Sequence, residues 1–114
     1  MVSGISSSLA GMNWAFDSIG VRANNLANIN TESFKSLIPT TDSGPNGQPK
    51  LTVKKDTSPG PITDIRGGKP VEGSNTDLTA EMVGLTADTA KAKFNAKVIQ
   101  TQNEMTGTII NIKA

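Results

Sequence analysis

Histidine, cysteine and tyrosine are missing from this 114-residue chain, and it has a single tryptophan. Without cysteine there are no disulfides and no thiolate chemistry. Without histidine the commonest metal ligand and proton-transfer group is gone. Neither sign of charge dominates: 11 Lys and Arg stand against 10 Asp and Glu. A net charge of +1 gives no argument for nucleic acid, an anionic membrane or an acidic substrate. No apolar run is long enough to span a bilayer. The N-terminus has no Lys or Arg ahead of its apolar residues and no continuous apolar core, so a cleaved secretory signal is not expected. The length sets one modest domain as the ceiling.

Proline and long gaps in periodicity are also absent from both ends. From the N-terminus, Ile5, Leu9, Met12, Phe16, Ile19, Ala23 and Leu26 recur in steps of four and three. That is the seam of a helix packed on another helix, sustained for about three heptads. Up to Ile29 only Asp17 and Arg22 are charged, and the outward positions are Ser, Gly, Asn and Ala. A solvated helix would carry Glu and Lys there, so the pattern predicts a helix surrounded by other protein. Asn24 and Asn28 lie one turn apart on one flank. They read either as solvated surface near a fraying helix end or as amide contacts to a neighbouring subunit. Trp14 lies off the Phe16 stripe, exposed in a monomer and covered in an assembly.

The second helix is predicted over residues 74–114. Ser74, Asn75, Thr76 and Asp77 are good N-caps, and Glu81 supplies an acid near the helix start. Leu78, Met82, Leu85, Thr89, Ala92, Ala96 and Ile99 repeat the four–three spacing. A second stripe of Phe94, Val98, Met105, Ile109 and Ile112 broadens the apolar face.

All six prolines fall between these helices. Long helices are excluded over residues 33–73. Asn46-Gly47 and Gly67-Gly68 are turn signals, and residues 51–55 and 62–66 alternate enough for short strands. A hairpin or an extended arm fits, and an arm with one hairpin is expected. The fold class that follows is mainly α: long N- and C-terminal helices in an antiparallel coiled-coil hairpin, with a short Pro/Gly-rich arm or β-hairpin between them. The predicted divisions are residues 1–32, 33–73 and 74–114.

No catalytic constellation is visible, and neither an enzyme nor a cofactor is expected. The glycine-rich segments lack the Lys and Ser/Thr of a phosphate loop. Lys91, Lys93 and Lys97 have no interleaved aromatic and read as a solvated face. Asp77, Glu81 and Asp88 suggest a metal cluster at first sight, but the dipole at a helix start favours acids there anyway.

Three runs carry a more specific signal. Residues 23–35 read A-N-N-L-A-N-I-N-T-E-S-F-K, residues 74–85 read S-N-T-D-L-T-A-E-M-V-G-L, and residues 94–105 read F-N-A-K-V-I-Q-T-Q-N-E-M. The first resembles the N-terminal signature of the bacterial flagellar axial proteins, the rod and hook components (A-N-N-[IL]-A-N-x-N-T-x-G-[FY]-K). The others resemble that family's closing signature (S-N-V-D-L-x-x-E-M-V, then Y-x-A-N-A-K-V-I-Q-T-x-[DN]-E-M). The matching positions are Asn24, Asn25, Asn28, Asn30, Thr31, Phe34, Asn75, Asp77, Glu81, Asn95 and Gln100. Ser33 stands where the family has Gly, which leaves open whether the chain turns there through a positive φ. Phe94 stands where it has Tyr, and the middle segment is short.

The resemblance implies a structural rod subunit of the proximal type in the periplasmic part of the basal body. It implies helical assembly through both termini with copies of itself and other rod and hook proteins, transmission of torque, and passage through the flagellar type III export apparatus without signal cleavage. No nucleic-acid partner and no membrane insertion are expected. The alternative is a soluble helical-hairpin module that binds or regulates part of the export machinery.

Overall fold

The computed structural model describes residues 2–113. Helix α1 (Val2–Ala27) is followed by β1 (Leu37–Ser43), a short 3-10 turn (Pro45–Gly47), β2 (Pro49–Lys55), β3 (Ile62–Arg66), β4 (Lys69–Glu72) and helix α2 (Leu78–Lys113). The expectation of a mainly helical coiled-coil hairpin with one arm is overturned. Four strands in two separate antiparallel sheets fill the middle of the chain. The first hairpin pairs Leu37 with Lys55 and Ser43 with Pro49; the second pairs Ile62 with Glu72 and Arg66 with Lys69. Residues 51–55 and 62–66 are extended as predicted, yet they do not pair with each other.

Local chemistry explains each turn. Gly67 and Gly68 both have positive φ, 58° and 76°, as a two-residue hairpin turn of this hand requires. Asn46 and Gly47 take the same left-handed region at 59° and 73°. Helix α2 begins where Asp77 caps it, its carboxylate accepting the Ala80 N–H at 3.2 Å. Helix α1 ends at an amide: Asn28 Nδ2 donates to the Asn24 carbonyl at 2.9 Å, and the Thr31 hydroxyl donates to Asn28 Oδ1 at 3.1 Å. The Asn24–Asn28 pair is thus a helix terminus closing on itself.

The molecule is long and thin, 80 × 24 × 14 Å, with a radius of gyration of 20.1 Å. A compact chain of this length would have a value of about 13 Å. Among the described residues, the buried apolar cluster is Trp14, Ala15 and Ala92, with Met12 and Leu51 packed against it. The hydrophobic term that usually dominates folding is therefore small here, and polar contacts hold much of the molecule together.

Candidate assembly surface

The two helices run antiparallel, and their contact is made of small and polar residues. A Cβ on Gly4 would meet Gln102, one on Gly11 would meet Asn95, and one on Gly84 would meet Arg22. Ser18 donates to Asp88 Oδ2 at 2.5 Å, and Asn25 Nδ2 donates to Glu81 Oε1 at 3.1 Å. Each step forward along α1 matches an equal step back along α2. The internal seam of α1 is thus Gly4, Ser8, Gly11, Ala15, Ser18, Arg22 and Asn25, spaced four and three.

Arg22 is the centre of this seam. Its Nε donates to Asp88 Oδ2 at 2.9 Å and its Nη1 to Glu81 Oε2 at 3.3 Å. Asp88 is 2 % exposed and Glu81 8 %. Two carboxylates this deep are tolerated because a guanidinium, a hydroxyl and an amide satisfy them. The acids that a metal reading would have used are occupied as partners of Arg22, and Asp77 is spent on the cap.

The predicted apolar stripe of α1 lies one residue past this seam at every step. Ile5 follows Gly4, Leu9 follows Ser8, Met12 follows Gly11, Phe16 follows Ala15, Ile19 follows Ser18 and Leu26 follows Asn25. One residue is a rotation of about 100° on a helix, so the stripe forms a flank of the pair. Leu9 and Phe16 are exposed, while Ile5, Met12, Ile19 and Leu26 are half-buried. On α2 the first stripe also lies one residue past the seam. Leu78 and Met82 are exposed, Leu85 and Ile99 half-buried. Of the second stripe, Phe94 lies one residue before the seam and is exposed, Val98 lies on the seam at the level of Ser8 and is half-buried, and Met105, Ile109 and Ile112 are exposed towards the end of α2. Phe94 is 69 % exposed and Ile112 81 %. The molecule therefore offers apolar residues on its flanks and lines the contact between its helices mostly with small and polar ones.

Trp14 lies on the other flank of α1, and the first hairpin covers it. It is 9 % exposed, in place of the exposure expected for a lone molecule. Pro49, Leu51 and Thr41 line the space around it, and Lys91 Nζ stands 4.3 Å from the ring centroid.

The family-motif asparagines meet at the base of that hairpin. Asn25 is fully buried. Its Nδ2 donates to the Leu37 carbonyl at 2.7 Å, and its Oδ1 accepts the Leu37 N–H at 2.8 Å. Asn75 Oδ1 accepts the neighbouring Ser36 N–H at 2.6 Å, and its Nδ2 donates to the carbonyls of Asp56 and Ser58. Its backbone N–H reaches the Phe34 carbonyl at 3.2 Å. Asn95 is half-buried opposite Gly11, whereas Gln100 sits on the surface between Lys97 and Glu104. Asn30 lines an open cleft with Glu32 and Arg66. The motif residues thus divide between the seam, the hairpin base and the end of α1. Sequence reasoning missed Arg22, Ser18 and Asp88 as a seam network; their four–three spacing was the available signal.

The second hairpin is held by charge. Arg66 grips Glu32 through both terminal nitrogens, at 3.1 and 2.5 Å, and Asp64 through Nε at 3.0 Å. These carboxylates raise the Arg66 pKa above its already high value. Glu72 accepts the Gly60 N–H at 2.6 Å and pairs with Lys35; both contacts hold its carboxyl below the ordinary glutamate range. Asp56 is lowered likewise, by hydrogen bonds from Ser58. Between these ties Ser33 turns the chain with φ 56°, its N–H donating to the Glu72 carbonyl at 2.8 Å. The left-handed turn made elsewhere by Gly is thus kept by a serine.

No helix among the described residues is long and apolar enough to cross a membrane. No curated protein matches the chain. A family model described as the flagellar basal body rod FlgEFG protein C-terminal region matches residues 70–112, which takes in β4, the Asn75 and Asp77 junction and nearly all of α2. Over those residues, on one half of the helix pair, the chain is similar to the C-terminal region of flagellar basal body rod proteins, which supports a structural protein of the flagellar rod or hook type.

Proposed function

We propose that this chain is a rod subunit of the proximal type, which assembles helically with copies of itself and with related rod proteins to pass torque along the basal body. The observation that carries this reading is the distribution of apolar side chains: both helices keep Ser, Gly, Asn and charged residues for each other and turn Leu9, Phe16, Met82 and Phe94 outward. Exposed apolar surface in this quantity marks an interaction face. A contact between unlike flanks is heterologous, and where its rotation does not close a ring, repetition gives a screw-related tube. Delivery by the flagellar export apparatus, without signal cleavage, follows from the same placement.

Phe16→Asp and Phe94→Asp test it. Each adds charge to a flank and leaves the internal seam untouched. The expected result is an isolated subunit with unchanged helical circular dichroism, and cells with no complete rod and no swimming. Normal motility in both variants would overturn the proposal.

A further inference from the structure

We propose that the first hairpin is a strap, releasable from the helix pair as a unit and held shut mainly by Asn25 and Asn75. Its body rests lightly on the helices. Leu51 is the hairpin residue packed against the Trp14 cluster. Open grooves of about 420 Å³ and 250 Å³ lie beside Trp14, lined by residues of both the hairpin and the helices. The covered indole N–H finds no acceptor among the described residues. A buried donor without a partner weakens the closed state. By contrast, the hairpin base is pinned at both ends. Asn25 holds Leu37 through both its N–H and its carbonyl, and Asn75 holds Ser36, Asp56 and Ser58. Ser36 and Leu37 are adjacent, so two side chains fifty positions apart in the sequence fasten successive residues of one strand entry.

The fastening also reads the state of the helices. The Asn25 amide that donates to Leu37 donates as well to Glu81, and Glu81 accepts from Arg22. Drawing α2 away from α1 removes one partner of the amide and loosens the strap. Opening uncovers Trp14 and Ala10, giving α1 a second apolar flank to present. A small, cooperative unit with few buried contacts is the kind of segment that opens below the global unfolding transition.

Trp14 is the sole tryptophan, so the fluorescence comes from one site, beneath the hairpin and beside the helix pair, and the helical signal separates the two. The test uses the full chain with Asn75→Ala, which touches no residue of the seam, alongside Asn25→Ala. Loss of the clamp is expected to raise iodide quenching of Trp14 and to speed amide exchange in β1 and β2 about tenfold or more, while the far-ultraviolet helical signal of Asn75→Ala stays at the wild-type level. Unchanged quenching and exchange in both variants would show that the clamp does not hold the hairpin. Simultaneous loss of Trp14 protection and helicity in Asn75→Ala would show that the hairpin is no separate unit. Either result overturns the proposal.

Discussion

The guanidinium of Arg22 occupies the space that a Cβ on Gly84 would need. Its Cζ lies 2.1 Å from that position. Glycine at 84 is thus required by the close approach of α1 and is not a flaw in helix α2. Gly84→Ala forces the guanidinium away from Asp88 and Glu81, whose charges then lack their partner. The expected loss is about 2–3 kcal/mol, against the small gain that alanine normally brings to a helix. Chemical denaturation of the purified chain measures it.

Removing the cation itself is expected to cost more. Arg22→Ala leaves Asp88 buried with only Ser18 to satisfy it. A loss of about 3 kcal/mol or more follows from stranding a buried charge. The double variant Arg22→Leu with Asp88→Leu is expected to recover part of it, because the stranded Asp88 charge is gone while Glu81 keeps only its Asn25 contact in place of the guanidinium. Thermal melts of the single and double variants give the comparison.

Ser33 takes a left-handed conformation that costs a residue with a Cβ about 1 kcal/mol. Ser33→Gly is expected to stabilise the folded chain by up to that amount, less the entropy glycine adds to the unfolded state. A fall in stability would mean that the serine side chain contributes something its backbone geometry does not reveal.

Acid should loosen the second hairpin. The Glu72 pKa in the folded chain lies below its ordinary value of 4.5, chiefly through the Gly60 N–H and then Lys35. A depressed carboxyl contributes stability that is fully present above the unfolded value and is lost as the pH falls through the folded one. The protection of the Gly60 and Gly73 amides, taken relative to intrinsic exchange at each pH, is therefore expected to fall below about pH 4.5, and Glu72→Gln should abolish that dependence. Asp56, shifted the same way by Ser58, adds to the effect at the base of the first hairpin.

Much of this architecture was legible in the sequence, but in uneven ways. The period of both helices could be read, because apolar residues recur every three or four positions. Their phase could not. The Ile5-to-Leu26 stripe looks like the buried seam only if apolar residues face inward, and here Gly11 and Gly84 make room for the polar side chains of Asn95 and Arg22. The turns at Asn46-Gly47 and Gly67-Gly68 were plain from their need for positive φ. Strands β1 and β4 were hidden by Pro39 and Pro70, residues that normally argue against a strand. In a two-stranded sheet every strand is an edge, so a proline costs no interior hydrogen bond. Asn25 and Asn75 stood out in the motifs, while their targets, the backbone of the adjacent residues Ser36 and Leu37, are features that no side-chain pattern encodes.

The seam pairs a glycine with a long side chain three times, but the glycine changes sides: it is on α1 opposite Gln102 and Asn95, and on α2 opposite Arg22. Sliding either helix lengthwise drives a bulky residue out of its hollow at one end and leaves a hollow empty at the other. Such a pair resists axial shear in both directions and keeps the two helices in one fixed register.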